Sequence, residues 1–520
     1  MTTGRTLARA AAIVTLAGLL SRALGYVRVF VIGSTFGAGP ELDAFIAAFR
    51  IPDLIFQLVA AGALASSLIP VIAYVSTEDG DERAWRVVST VANLLMPVLL
   101  VLSLLAAIAA PVLVPAITPG FDEVQSARTI ELTRIMLLSP VFLALGAIAT
   151  SVLNSRGRFG ASAVAPIAYN VAIIFAAVFL APFLGVVGLA LGVVIGSLLH
   201  VVVQLRPLRR LGFRYEPAID AGDRWARRAF ALLAPRAIGL GASQITLIVS
   251  TMLASGLAAG SITAFAFAFT LLQIPIGVIG VPVGIVVFPT LSQDMARGGV
   301  TAFVDLVLRA LRLLLFVMIP IAVVGMVLND QIVTLLLAYG TFDEAAVALT
   351  ASTLFFFLLG LPAHSLIAVL ARAFYAQQDT RTPVAVAVLA VAVNVSLSII
   401  LVGPIGLNGL ALAIAIGAWA EALVLMWLLR RRVAELRLSP LLRVGVEAGL
   451  GAAAAGLAAA GVVVAVDQLT GAEGRLIVLV ATALAGLAAL GAFVAVSAAL
   501  RVPELQATVE LVRDVTRRRG

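Results

Sequence analysis

This 520-residue chain is expected to be an all-α polytopic membrane protein, with fourteen transmembrane helices arranged as two parallel six-helix repeats plus two C-terminal helices. Three observations predict that class. The first is composition: mean hydropathy is +1.13, and 62% of residues are hydrophobic against 12% charged, more apolar surface than one soluble core can hide. The second is charge placement. Basic residues gather in alternate loops, around Arg5 and Arg9, Arg83 and Arg86, Arg156 and Arg158, Arg206 to Arg228, Arg297 to Arg312, Arg372 and Arg381, Arg430 to Arg443, and Arg501 to Arg519. The intervening loops near GAGP, FLGV, SGLAAG, AYGTFD and GPIGLN have none, and only Arg128 and Arg475 fall near that other side. Such alternation is the positive-inside pattern and predicts cytoplasmic termini. The third is duplication. GFDE at Gly120 recurs as TFDE at Thr341, GLALGVVIG at Gly188 as GLALAIAIG at Gly409, and Arg209-Arg210 as Arg430-Arg431, all at one offset of 221 residues.

Taken in order, the helices are expected near 10–36, 41–75, 84–117, 126–155, 160–183, 185–205, 225–253, 258–292, 301–337, 344–376, 382–402, 406–431, 440–466 and 474–500. Each exceeds the ~20 residues that cross hydrocarbon. The first run is too long for a signal peptide and has no small-residue cleavage site after it, so it reads as a retained helix. Prolines inside several spans, among them Pro52, Pro70, Pro97 and Pro282, predict bent helices around a lumen, where neighbouring groups satisfy the freed backbone. The duplication divides the chain into a lobe over 1–212, a second over 222–431, two additional helices over 440–500 and a basic cytoplasmic tail over 501–520. Two parallel repeats enclosing a site near the midplane are a transporter plan.

Composition also excludes chemistry. There is no cysteine, hence no disulfide and no thiolate site. The net charge of +8 is spread by topology rather than gathered on a nucleic-acid face, so no nucleic-acid partner is expected. No Walker-type loop is present, which leaves membrane potential or a coupling cation as the energy source and implies no other cofactor.

The charges that composition cannot explain lie inside the spans. SRALGYVR places Arg22 about twelve residues into the first helix, on the order of 18 Å from its start. Ser21, Gly25 and Arg28 share one face by spacing, with Arg22 roughly 100° away. ELDAFIAAFRIPD sets Asp43, Arg50 and Asp53 in the second span, and LAPRAIGLGASQI sets Arg236 at a comparable depth in the seventh. A charge at that depth costs at least ~2.5 kcal/mol and has to face a cavity or a partner. Internal pairing of Asp43 or Asp53 with an arginine is one reading. The other follows from arginines outnumbering aspartates: a net positive lumen calls for an anion, and the forked guanidinium matches phosphate and carboxylate oxygens. Arg22, Arg28, Arg50 and Arg236 are therefore the candidate pyrophosphate ligands, and Asp43, Asp53 and Glu421 the candidates for ion coupling or charge pairing. His200 and His364 have no second ligand at metal spacing and read as core or interfacial histidines.

SRALGYVR, FGAGPELDAFIAAFRIPDLI, GALASSLIPV, LTRIMLLSP, LNSRGRFGASAVAPIAYN, ASQI, LLQIPIGVIGVPVG and DTRTP together resemble the MurJ/MviN lipid II flippases of the multidrug/oligosaccharidyl-lipid/polysaccharide exporter superfamily. The resemblance runs from about Arg9 to Arg432. It implies fourteen helices in two lobes, a cationic central cavity, a groove for the lipid tail formed by the last two helices, and a bacterial cytoplasmic membrane. The implied activity moves an undecaprenyl-pyrophosphate-linked glycopeptide from inner to outer leaflet by alternating access, without enzymatic chemistry; cell-wall synthesis proteins are the implied partners. Arg22, Arg28 and Asp43 match functional positions of the family. Three family charges are replaced, at Phe56 and Gln57, at Ala61 and at Thr270, and Arg50 and Arg236 are the residues expected to restore positive charge. Export of another lipid-linked glycan or a small solute, and a non-transporting scaffold for wall synthesis, are the competing readings of the same residues.

Overall fold

A computed structural model describes residues 3–59, 63–217, 219–470 and 474–506, with the backbone alone for 3–15, 59, 63, 65–66, 234–243 and 470. Every regular element among them is helical. They form two compact units, Met1–Thr263 with Tyr339–Asp343, and Ala264–Ala338 with Glu344–Gly520.

The first unit holds α1 (Thr3–Phe36), α2 (Pro40–Ala48), α3 (Arg50–Val59), α4 (Ala63–Glu78), α5 (Asp81–Ile117), α6 (Glu123–Met136), α7 (Ser139–Ser155), α8 (Phe159–Phe175), α9 (Ala181–Leu184), α10 (Val186–Arg210) and α11 (Arg224–Ser255). A π-helical segment over Ala176–Leu180 joins α8 to α9. The second unit takes up α12 (Ser261–Pro275) from its fourth residue, then α13 (Val281–Ala296), α14 (Val300–Val327), α15 (Asn329–Leu337), α16 (Glu344–Leu358), α17 (Leu361–Ala376), α18 (Arg381–Ile405), α19 (Leu407–Arg432), α20 (Ser439–Thr470) and α21 (Arg475–Ala499). α11, which the duplication assigns to the second repeat, packs on α3, α4 and α5 of the first unit.

Among the described residues, eleven helical segments are long and apolar enough to cross a membrane, and the pair α16–α17, bent by 45°, makes a twelfth. The chain is therefore a multi-pass membrane protein. The segments expected over 41–75 and 225–253 are not among those twelve: residues 60–62 lie outside the described residues, as do the side chains of 234–243. The described residues of the first comprise α2, α3 and α4 and include Asp43, Arg50 and Asp53. In α11, Arg224, Arg227 and Arg228 stand in the first two turns, and Gln244–Ser255 is an apolar stretch.

Helix starts follow from local chemistry. Asp122 caps α6, accepting from the Gln125 N–H at 2.7 Å. Asp223 caps α11, accepting from Trp225 and Ala226, each at 2.8 Å, and also pairs with Arg83 of α5. These caps satisfy the orphan N–H groups of a first turn. Gly185 and Gly406, 221 residues apart in the sequence, both take φ 58°, a left-handed corner that glycine enters without strain. The helices that follow them turn back tightly on the preceding segment: a Cβ on Gly188 would lie 2.9 Å from the Leu180 carbonyl oxygen, and one on Gly409 would lie 2.4 Å from that of Leu401.

The DTRTP run is the start of α18. Asp379 accepts from the Arg381 and Thr382 N–H groups, each at 2.9 Å, and from the Thr382 hydroxyl at 2.6 Å; Arg432 at the end of α19 pairs with it at 2.6 Å. These donors, Thr382 foremost, hold its pKa at about 2, below the usual 3.8. A carboxylate with a depressed folded-state pKa adds stability that is complete above its unfolded value and fades as pH falls through the folded one. Asp379→Asn is accordingly expected to lower thermal stability in detergent by about 1 kcal/mol at neutral pH. Melting curves of variant and wild type should converge between pH ~4 and ~2; a gap independent of pH would deny the carboxylate this role.

Candidate functional site

The site is built on α1, whose polar residues lie along α8. Asn170 of α8 fixes the approach, its Nδ2 donating to the Ser21 carbonyl at 3.3 Å and to the Pro166 carbonyl at 3.0 Å. Arg22 lines a recess of about 320 Å³ whose other polar groups are Ser21, Thr150, Asn154 and Ser162, from α1, α7 and α8. Arg22 itself is exposed, and these groups give its guanidinium polar neighbours within a membrane span. Arg28 is half-buried, and its guanidinium carbon lies 5.8 Å from the centre of the Tyr169 ring. Among the described residues it has no ion pair and no hydrogen bond.

The aspartates are engaged elsewhere. Asp43 on α2 is only 3% exposed. Its carboxylate accepts from the Gly260 N–H at 2.7 Å, the Thr263 N–H at 2.8 Å and the Thr263 hydroxyl at 2.6 Å. Asp53 on α3 accepts from Gln244 of α11 at 3.0 Å and from Gln57 at 3.5 Å. Arg50, one turn before it, donates from Nε to the Thr251 hydroxyl at 2.8 Å. Arg50 and Asp53 thus clamp α3 to α11 through two neutral side chains two turns apart, which places α11 in the first unit. Among the described residues, neither aspartate forms a salt bridge with an arginine.

Of the seven sequence-derived site residues, the first unit contains Arg22, Arg28, Asp43, Arg50, Asp53 and Arg236. The Arg236 side chain falls outside the described residues, as does Ala61. Glu421 belongs to the second unit, half-buried on α19 near Tyr375 of α17. His200 meets the backbone of Ala165 and packs so tightly under α7 that a Cβ on Gly146 would be 2.2 Å from its ring. Where family charges are replaced, Phe56 packs against the core of α3–α5 and α7, Gln57 serves Asp53, and the Thr270 hydroxyl returns to the Ala266 carbonyl at 2.8 Å.

Sequence reasoning missed Tyr169, Gln244 and Thr251. Gln244 and Thr251 had a legible signal: two polar residues seven apart in an apolar run share one helix face, as Arg50 and Asp53 do at three apart. Tyr169 had none, since a tyrosine in an apolar helix is equally suited to core packing.

The second unit carries an apolar groove of about 750 Å³, walled by α12, α14, α15, α16, α20 and α21, with Phe316, Val324, Leu490 and Phe493 among its lining residues. It exists because α20 and α21 pack on each other and α20 packs along α14.

The chain has relatives among known proteins. A family model described as lipid II flippase MurJ matches residues 32–485. A probable lipid II flippase MurJ of Rhizobium tropici is 33% identical over 425 residues, covering 80% of this chain and 79% of that protein. The lipid II flippase MurJ of Burkholderia cenocepacia is 32% identical over 431 residues, covering 81% and 84%. In fold, the chain is similar to the solved structure of a lipid II flippase MurJ in an inward closed conformation, with TM-score 0.78 at 23% identity over 94% of this chain and 99% of that one. It is similar, more distantly, to a multidrug resistance MATE family transporter in an inward-facing conformation, with TM-score 0.65 at 17% identity over 80% and 95%.

Proposed function

The chain belongs to the lipid II flippase MurJ family, and from that premise we propose that it translocates lipid II from the inner to the outer leaflet by alternating access. Arg28 is the observation that carries the reading. A guanidinium within the first membrane span has no carboxylate bound to it among the described residues, while both nearby aspartates, Asp43 and Asp53, are occupied by neutral donors. Positive charge is therefore left over in the first unit, and a pyrophosphate is the part of lipid II that can use it. Arg22, Arg28, Arg50 and Arg236 replace water around that head group. No bond is made or broken, so the protein is a transporter and not an enzyme.

The polyprenyl tail has no reason to leave hydrocarbon, and the apolar groove along α14, α20 and α21 is the surface suited to it. The finer architecture belongs to the same proposal: fourteen spans, with α2–α4 and α11 counted as two, in parallel repeats over 1–212 and 222–431, with 440–500 as the groove-forming pair and 501–520 as the tail. Residues 507–520 of that tail lie outside the described residues. The matching corners at Gly185 and Gly406 support the duplication. Loop charges support cytoplasmic termini in the bacterial inner membrane. Membrane potential or a cation supplies the energy, with Asp43, Asp53 and Glu421 as the acidic groups available to a cation, and wall-synthesis proteins are the neighbours such a product would serve.

Depletion of the protein in its host, followed by labelling of lipid II exposed on the outer face, tests the proposal. Lipid II should accumulate on the inner leaflet and disappear from the outer. Unchanged exposure would overturn it.

A further inference from the structure

We infer that Tyr169 is a positioning residue for Arg28, seated by the close approach of α10 through Gly196; this rests on the reading of Arg28 as a pyrophosphate ligand. A long side chain on a helix leans back toward the helix N-terminus. Arg28 does so onto α8, where its guanidinium is 5.8 Å from the Tyr169 ring centre, within the range of cation–π attraction. The next residue, Asn170, ties α8 to the carbonyl of Ser21, two turns earlier on the same face of α1 as Arg28. Adjacent residues of α8 therefore set both the helix that bears the arginine and the direction of its side chain.

The ring is itself held from behind. A Cβ on Gly196 would lie 2.9 Å from the Tyr169 carbonyl oxygen and 3.1 Å from ring atom Cδ2. Only glycine leaves the ring where it stands. Gly192 and Gly188, each one turn earlier, repeat the closeness against Ala176 and Leu180, so α10 presses on the α8–α9 segment along its length. A guanidinium left without a carboxylate would otherwise sample many rotamers, and each rotamer frozen on binding weakens affinity. Stacking on an immobile ring removes part of that cost while leaving the N–H edges of the guanidinium free for an anion.

The test is a double-mutant cycle in proteoliposomes, using a short-chain polyprenyl-pyrophosphate disaccharide-pentapeptide as substrate and reading its concentration dependence. Tyr169→Leu should raise the half-saturating concentration about fivefold with the maximal rate little changed. Tyr169→Phe, which keeps the ring, should retain wild-type behaviour to within about twofold. In an Arg28→Ala background, Tyr169→Leu should add nothing, because its effect passes through the missing guanidinium. Should Tyr169→Leu fail to fold, Gly196→Ala displaces the ring without removing it and has to show the same shift, abolished in the Arg28→Ala background. Equal losses from Tyr169→Leu with and without Arg28 would overturn the inference and leave Tyr169 as packing. Full activity of Arg28→Ala alone would instead overturn the assignment of Arg28 beneath it.

Discussion

Arg28→Glu should abolish exposure of lipid II on the outer face of the membrane while leaving the protein inserted at its normal level. The two halves of that outcome have different physical causes. Activity falls because the variant presents an anion to a pyrophosphate. Removing one member of a desolvated, hydrogen-bonded charge pair costs about 2–5 kcal/mol, at least thirtyfold in affinity, and reversal adds repulsion. Folding survives because Arg28 forms no hydrogen bond or ion pair among the described residues, so the native state loses only its stacking on Tyr169, about 0.5–2 kcal/mol. Glutamate at this depth is no more costly to insert than arginine to within about 1 kcal/mol. Arg28→Lys should fall between: it keeps the charge but gives up the planar fork and much of the stacking, leaving transport reduced about tenfold. Outer-leaflet labelling, normalised to the amount of protein in the membrane, distinguishes these outcomes. Unimpaired transport by the glutamate variant would remove Arg28 from the site.

The chain announces its class because hydropathy and loop charge act locally and repeat many times along it. Helices such as α5, α10 and α19 lie where their apolar runs place them, and the offset between GLALGVVIG and GLALAIAIG reappears as paired corners at Gly185 and Gly406. The site was legible in part. That arginines stand inside α1 is a fact of spacing; that Arg28 is left without a counter-ion among the described residues is not, since it depends on what Asp43 and Asp53 find across the fold. Asp53 and Arg50 look in sequence like each other's partners, yet each is bonded to a neutral side chain of α11, Gln244 and Thr251, about two hundred residues away. No local pattern encodes that choice. The break at Phe49 between α2 and α3 left one local signal, Pro52 in the first turn of α3, although the charged run around it reads as a single span. The boundary of the compact units was also hidden, because α11 follows its clamp to α3 rather than its place in the duplication.

Asp43→Ala should destabilise the protein more than any other single change to these carboxylates, by about 4 kcal/mol, the sum expected for two buried N–H groups left without an acceptor. The need arises at Gly260. This residue precedes α12 and takes φ +87°, and a Cβ there would lie 2.6 Å from the Ala38 carbonyl oxygen, so glycine is required and no side chain of its own is available to cap the helix. Asp43 supplies the cap from α2, binding the N–H groups of Gly260 and Thr263 and the Thr263 hydroxyl. Abundance in the membrane should fall several-fold, as marginal proteins lose ground to quality control at ~1–2 kcal/mol. Asp43→Asn separates capping from charge. Its carbonyl oxygen still accepts, while its amide nitrogen faces donors, so a cap predicts about half the loss seen with alanine. A role in cation coupling predicts the opposite pattern, with normal abundance in the asparagine variant and transport as defective as in the alanine variant. Measured together, abundance and outer-leaflet lipid II therefore decide whether this carboxylate holds the α11–α12 corner or carries an ion; equal destabilisation by asparagine and alanine would show that its negative charge, and not its acceptor oxygens, holds the corner.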